Sequence, residues 1–271
     1  KRAPIQGAMR QKVLLTIRDV VAAVAIVCII LAALWAYTGQ FPSTPMVVVI
    51  SGSMMHDDAS YGRIGTIDPG DLVLVKKISG REDVLPRGAS GNPATGHRTY
   101  GDYGDVVIYY PMGNQDRTPI IHRAICWVEV NPDGTYTVEE YGIESANSIT
   151  ISELHLSNYR PSNSGFITQG DHNQLPDQYP NGGISREPIK PEWMLGKARG
   201  EMPWFGMIKL MIYGNQGVNA DQSWVKVGNA VAPKDIWVCL GLSLLAIAAV
   251  PISLDGYEYY KKKKKEETDF F

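Results

Sequence analysis

Ser51, Gly52 and Ser53 close a run of β-branched residues, Val47-Val48-Val49-Ile50, and lead into Met54, Met55 and His56. A strand that ends in Ser-Gly-Ser is expected to turn tightly and lift Ser53 off the sheet. A serine hydroxyl attacks a carbonyl only when a base takes its proton and donors stabilise the oxyanion. By itself Ser-Gly-Ser is an ordinary solvated turn, so any chemistry depends on what else converges on it.

Five histidines can supply a base. His122 lies in Ile120-Ile121-His122-Arg123-Ala124-Ile125-Cys126-Trp127, where period two puts it on one apolar face with Ala124, Cys126 and Val128. Burial disfavours a charged imidazole, and the neutral ring is the form a general base needs. The bland reading of such a residue is a hydrogen-bonded core histidine. His56, beside the serine turn, and His172, beside Asp171, are rivals, whereas His97 and His155 sit in segments that read as surface loop. Lys76 and Lys77 suit a Ser-Lys arrangement, although paired lysines at a strand end are usually a solvated edge. The acid comes from Thr168-Gln169-Gly170-Asp171-His172-Asn173-Gln174-Leu175-Pro176-Asp177. Carboxylates in such a loop are commonly turn formers. A triad nevertheless needs one to accept from the second ring nitrogen of the base, and either Asp171 or Asp177 can reach.

The elements that must position these groups follow from hydropathy. Residues 20–40 carry no charge, and 20–37 are almost wholly Val, Ala, Ile, Leu and Trp, long enough to cross a hydrocarbon core. A second apolar run, 235–255, is bounded by Asp235 and Asp255 and contains Pro251, which should kink or shorten its end. Basic residues flank both: Lys1, Arg2, Arg10, Lys12 and Arg18 before the first, Lys261 to Lys265 after the second. By the positive-inside rule, 1–19 and the Lys-rich tail 256–271 are cytoplasmic and 41–234 faces outward. A removable signal peptide is the alternative for the first run, but its apolar part is long for that, with Met9 a candidate start.

Between the runs the chain is rich in Gly, Pro and Tyr and reads as mainly β, with strands expected at 71–78, 105–110, 120–130, 135–141, 166–169 and 194–199. Two of them open on Gly-Asp, at Gly70-Asp71 and Gly104-Asp105. The charged insert 79–103 has no periodicity and reads as a mobile surface loop. The net charge of -2 hides an acidic middle section, which argues against nucleic acid as its partner. Two of the three cysteines, Cys28 and Cys239, fall in the apolar runs, so neither a disulfide framework nor a zinc cluster can be built, and no metal or cofactor is expected.

Taken in order, these features resemble the type I signal peptidases: an N-terminal anchor, Ser51 to Met54, two Gly-Asp strands, His122-Arg123, and a Gly-Asp box from Gly170-Asp171 to Asp177. Any one box is weak, but together they span most of the chain. A histidine before the arginine is the archaeal and endoplasmic-reticulum pattern; bacterial members carry lysine there. His56 stands where a proline often follows the serine box, and His172 interrupts the usual Gly-Asp-Asn.

The resemblance implies a β-sheet or barrel catalytic domain between two transmembrane helices in the cell membrane. It implies Ser53 as nucleophile, His122 as general base, Asp177 as orienting acid with Asp171 holding the loop, and the Ser53 N–H and Ser51 hydroxyl as oxyanion donors. Its partners are precursor proteins bearing signal peptides and the lipid bilayer. Two other readings compete: an anchored Cys-His transpeptidase of the sortase kind using Cys126, and a non-enzymatic surface module in which Ser53 is a turn residue.

Overall fold

The computed structural model describes residues 3–56, 62–215 and 224–268. The ends of the basic N-terminal stretch and of the Lys-rich tail lie outside the described residues. Helix α1 (Ala3–Thr38) contains the first apolar run and stops where Gly39, at φ +68°, donates its N–H to the Trp35 carbonyl. That left-handed residue is the ordinary glycine stop signal of a helix.

The sheet that follows is antiparallel throughout. It runs from β1 (Met46–Val48) through β2 (Leu72–Lys76), β14 (Met194–Met202), β7 (Val106–Tyr109), β8 (Ile120–Val130) and β9 (Tyr136–Val138) to β10 (Ile143–Ala146), with β13 (Gly165–Gln169) also paired to β8. Small hairpins surround it: β3 (Gly88–Ala89) with β4 (Asn92–Pro93), β5 (Arg98–Thr99) with β6 (Asp102–Tyr103), and β11 (Ile149–Ile151) with β12 (Leu156–Tyr159). Near the end of the chain come helix α2 (Met207–Tyr213), the hairpin of β15 (Trp224–Val227) and β16 (Ala230–Pro233), and helix α3 (Lys234–Thr268).

The six expected strands are present, five of them with an end shifted and β8 with the expected bounds. Two expectations change. Pro251 does not end the second apolar helix, because α3 continues past it to Thr268. The apolar face proposed for β8 is interrupted by a register shift: Ile167 and Thr168 are consecutive, yet they pair with Cys126 and Ala124. The extra residue opposite them is a bulge that resets the alternation. Ala124 therefore packs with Val107 and Tyr109, whereas Cys126 and Val128 pack with Val138, Ile149 and Leu156. The insert 79–103 contains the hairpins β3–β4 and β5–β6 and is also tied down from outside the segment. Arg123 on β8 donates to the carbonyls of Thr99, Tyr103 and Gly104, and the Arg87 N–H bonds the Ala124 carbonyl.

Among the described residues, α1 and α3 are long and apolar enough to cross a membrane, over Val13–Thr38 and Lys234–Pro251. Their apolar side chains are largely bare, unlike those of a core helix: none of the first window and 11% of the second is buried.

Asp71 fixes the entry to β2 by accepting the N–H groups of Asp68 and Trp204 at 2.7 and 2.8 Å. Burial, reinforced by the neighbouring carboxylates of Asp68 and Glu201, pushes its carboxyl up to about 7 against those two hydrogen bonds. A carboxyl raised in the folded state favours folding at low pH and loses that contribution as pH climbs from the unfolded value towards 7. Asp71→Asn should therefore gain in thermal midpoint relative to the parent between pH 5 and pH 8, as measured by melting in detergent. A midpoint difference that does not change with pH would remove Asp71 as the cause.

Candidate active site

The turn that carries Ser53 is held from both sides. Val49 donates to the Asp71 carbonyl and accepts from Gly70, which fixes the strand end, and Met55 closes the turn onto the Gly52 carbonyl. Met54 and Met55 are buried, Met54 among Val49, Ile67, Val73 and Val106. The methionine after the second serine is thus a plug that drives the turn into the core while Ser53 stays partly accessible.

His122 approaches from the middle of the sheet. Its Nε2 lies 3.0 Å from the Ser53 Oγ, and its Nδ1 lies 2.8 and 2.7 Å from the two carboxylate oxygens of Asp177. His122 and Asp177 are each 2% exposed. Asp177 accepts two further hydrogen bonds, from the Tyr109 hydroxyl at 2.6 Å and the Thr168 hydroxyl at 2.7 Å. Burial and the adjacent Asp177 charge hold the Tyr109 hydroxyl well above its usual range, so it stays a donor.

Strand register explains the convergence. Val107 lies opposite His122 and Thr168 opposite Ala124, so Tyr109, His122 and Thr168 all emerge on one face. Gln169 is opposite Arg123, which sends the next residue, Gly170, past the imidazole. The loop then returns through the Asp177 N–H, which bonds the Thr168 carbonyl.

Asp171 does something else. Its carboxylate takes the Arg123 Nε at 2.7 Å and Nη2 at 2.5 Å, and the His56 Nε2 lies 2.9 Å away. Burial alone would raise this carboxyl, but the Arg123 and His56 hydrogen bonds and charges outweigh it and hold the group below the usual carboxylate range. Of the two carboxylates, Asp177 meets His122 and Asp171 clamps Arg123.

The rival bases stand elsewhere. His56 belongs to that clamp, His97 bonds Asp105 at 2.8 Å, and His172 approaches Ser53 through its backbone N–H, which donates to the Ser53 carbonyl at 2.9 Å. Lys76 sits over the Tyr37 ring. Cys126 is fully buried in apolar surroundings that push its thiol well up, and both nitrogens of His122 are already engaged by other groups. Ser51 places its hydroxyl 3.4 Å from that of Ser53. Among the described residues no group of three or more His, Cys, Asp and Glu could hold a metal ion.

Sequence reading did not single out Tyr109, Thr168 or the spatial role of Gly170. For Tyr109 the only signal would have been the pairing of two strands read separately. Compared with known protein families and with curated proteins, the chain matches none. Ser53, His122 and Asp177 thus lie in one hydrogen-bonded line, the geometry by which a base can take a proton from a serine hydroxyl.

Gly170 is where this line has no spare room. A Cβ there would fall 2.5 Å from the Ser53 carbonyl oxygen and 2.9 Å from the His122 Nε2. Gly170→Ala should leave a folded protein in which the serine and imidazole are pushed apart. Any Ser53-dependent turnover should drop by about 10²-fold, the cost expected of roughly 1 Å of misplacement, as read by steady-state kinetics beside circular dichroism. Unchanged turnover would mean that this close approach does not matter.

Proposed function

We propose that the protein is a membrane-anchored serine endopeptidase that removes signal peptides from secreted precursors, in the manner of a type I signal peptidase with a serine and histidine centre. The observation that carries this reading is the His122 ring, held between the Ser53 Oγ and the Asp177 carboxylate at hydrogen-bonding distances. It is supported by the order of boxes in the sequence and by two bare apolar helices at opposite ends of the chain.

In this reading Ser53 Oγ attacks the scissile carbonyl while its proton passes to His122 Nε2. Asp177 keeps the Nδ1 proton pointed at itself, which leaves the Nε2 lone pair facing the serine and stabilises the imidazolium that forms. The carbonyl oxygen, now an oxyanion, is met by the Ser53 N–H and the Ser51 hydroxyl; among the described residues no acceptor occupies that N–H. Nε2 then returns the proton to the departing amine, leaving an acyl group on Ser53. Water, deprotonated by the same nitrogen, releases it.

The substrate class follows from the surroundings. β1 is the terminal strand of the sheet and runs directly into the serine turn, so an extended precursor segment can add beside it as a further strand. The resemblance implies shallow pockets beside that strand for small residues at the first and third positions before the cut. With both basic flanks cytoplasmic, residues 41–234 lie outside, and the precursor's own apolar segment shares the bilayer with α1 and α3, which raises its effective concentration.

Cleavage of a precursor bearing an Ala-X-Ala site, in detergent micelles or membranes, tests the reading. Ser53→Ala and His122→Ala should both abolish cleavage, and Ser51→Ala should lower it by about 10²–10³-fold, the usual cost of one oxyanion donor. Full activity of Ser53→Ala or of His122→Ala would rule out the mechanism.

A further inference from the structure

Gly52 separates the two oxyanion donors of the serine turn, and a residue from the far end of the chain stands against it. A Cβ on Gly52 would fall 2.5 Å from the Met55 Sδ and 3.8 Å from the Trp224 Cη2. Met55 and Trp224 together occupy the space where a side chain would be. Met55 belongs to the turn itself, so Trp224 is the contact that arrives from outside.

Trp224 is held by α3 and not by the sheet. It opens β15, where it lies opposite Pro233, the last residue of β16 before α3 begins. From the first turn of α3, Trp237 donates its indole N–H to the Val225 carbonyl at 2.9 Å. Ala230 and Ala232 of β16 pack on Ile236 and Leu240 of the same helix. Asn215 brackets the hairpin from α2, donating to the Val231 carbonyl at 3.0 Å and accepting the Val231 N–H at 2.8 Å. Fixed at these points, the hairpin must follow α3. The serine turn is thus braced from two directions. Asp71, Gly70 and His172 hold Val49 and Ser53 through backbone hydrogen bonds, whereas the α3 base supports Val48 and Ile50 by packing and meets Gly52 through Trp224.

We infer that Trp224 is a positioning residue for the oxyanion donors: set against Gly52 by α3, it keeps the Gly52–Ser53 peptide from rotating, so that the Ser53 N–H and the Ser51 hydroxyl stay aimed at one point. Glycine has the most backbone freedom of any residue, which makes it the link of the turn that most needs an outside restraint. Donors of this kind act because they need not reorganise as charge develops. The effect of Trp224 therefore falls on the transition state and not on binding of the precursor. The inference rests on Ser53 acting as nucleophile, and it makes the second apolar helix a support of the site as well as an anchor.

Cleavage of an Ala-X-Ala precursor by the full chain in detergent micelles, normalised to the folded fraction from thermal melting, tests it. Trp224→Ala should lower kcat by about 10-fold with KM within about twofold of the parent, a part of the roughly 10²-fold that 1 Å of misplacement costs. Trp224→Phe, which keeps a ring beside Gly52, should recover most of that loss. In a Ser51→Ala background Trp224→Ala should matter markedly less than it does alone, because one of the donors it aligns is already gone. A loss carried by KM, a loss that multiplies in full with that of Ser51→Ala, or parental kcat in folded Trp224→Ala overturns the inference. If Trp224→Ala does not fold, Trp237→Phe decides in its place: it removes the donor to the Val225 carbonyl but keeps the ring, and parental kcat there overturns the inference equally. Cleavage that survives Ser53→Ala removes the serine reading and this inference with it, whereas Ser53-dependent cleavage that Trp224→Ala leaves untouched overturns the inference alone.

Discussion

A dry imidazole with both nitrogens engaged constrains the rest of this structure. An unpaired polar group in so buried a place would cost of the order of 1–3 kcal/mol, so the fold must bring partners to His122 from distant parts of the chain. It does so with three pieces of sheet: β8 carries the ring, the end of β1 brings Ser53, and the loop after β13 brings Asp177. Tyr109 and Thr168 both donate to Oδ2 of Asp177 and so help keep its carboxylate aimed at Nδ1. Because each of these residues is set by strand register, a slip of one position would turn the whole constellation to the opposite face.

The neighbour of His122 performs a different task on the other face of the same strand. Arg123 is fully buried, and its guanidinium ties Asp171 to the carbonyls of Thr99, Tyr103 and Gly104. His56 joins that clamp three residues beyond Ser53. Two adjacent residues of β8 thus hold the two halves of the site. His122 takes the serine and the loop acid, and Arg123 takes the start of that loop and the insert that covers it. A buried ion pair of this kind is weak evidence for stability, but removing one partner strands the other charge, which makes the arrangement hard to replace piecemeal.

The residues themselves carried much of this. Ser53, His122 and the loop from Gly170 to Asp177 were legible because box residues sit beside apolar strands, and β8 was legible to its ends because its apolar run is long. What was not legible depends on pairing. Whether Asp171 or Asp177 faces the imidazole follows from Gln169 standing opposite Arg123, and no local pattern encodes that register. Tyr109 belonged to a strand that was read correctly but without its neighbour. The period-two grouping of His122 with Cys126 failed at a bulge, which leaves no compositional mark. The insert 79–103 lacks periodicity because much of its order is imposed by Arg123 from another element. α2 escaped notice since an apolar helix of this length has no amphipathic signal.

The central claim is that Asp177, and not Asp171, governs the imidazole while Asp171 serves the clamp. Turnover of a precursor by Asp177→Asn and Asp171→Asn, each normalised to the folded fraction from thermal melting, tests it most directly. Asp177→Asn should keep its fold and lose about 10⁴ in kcat, because an amide in place of the carboxylate favours the wrong imidazole tautomer. Asp171→Asn should instead lose melting temperature while its folded molecules retain far more turnover. The opposite pattern, with Asp177→Asn active and Asp171→Asn folded but inert, would contradict the account.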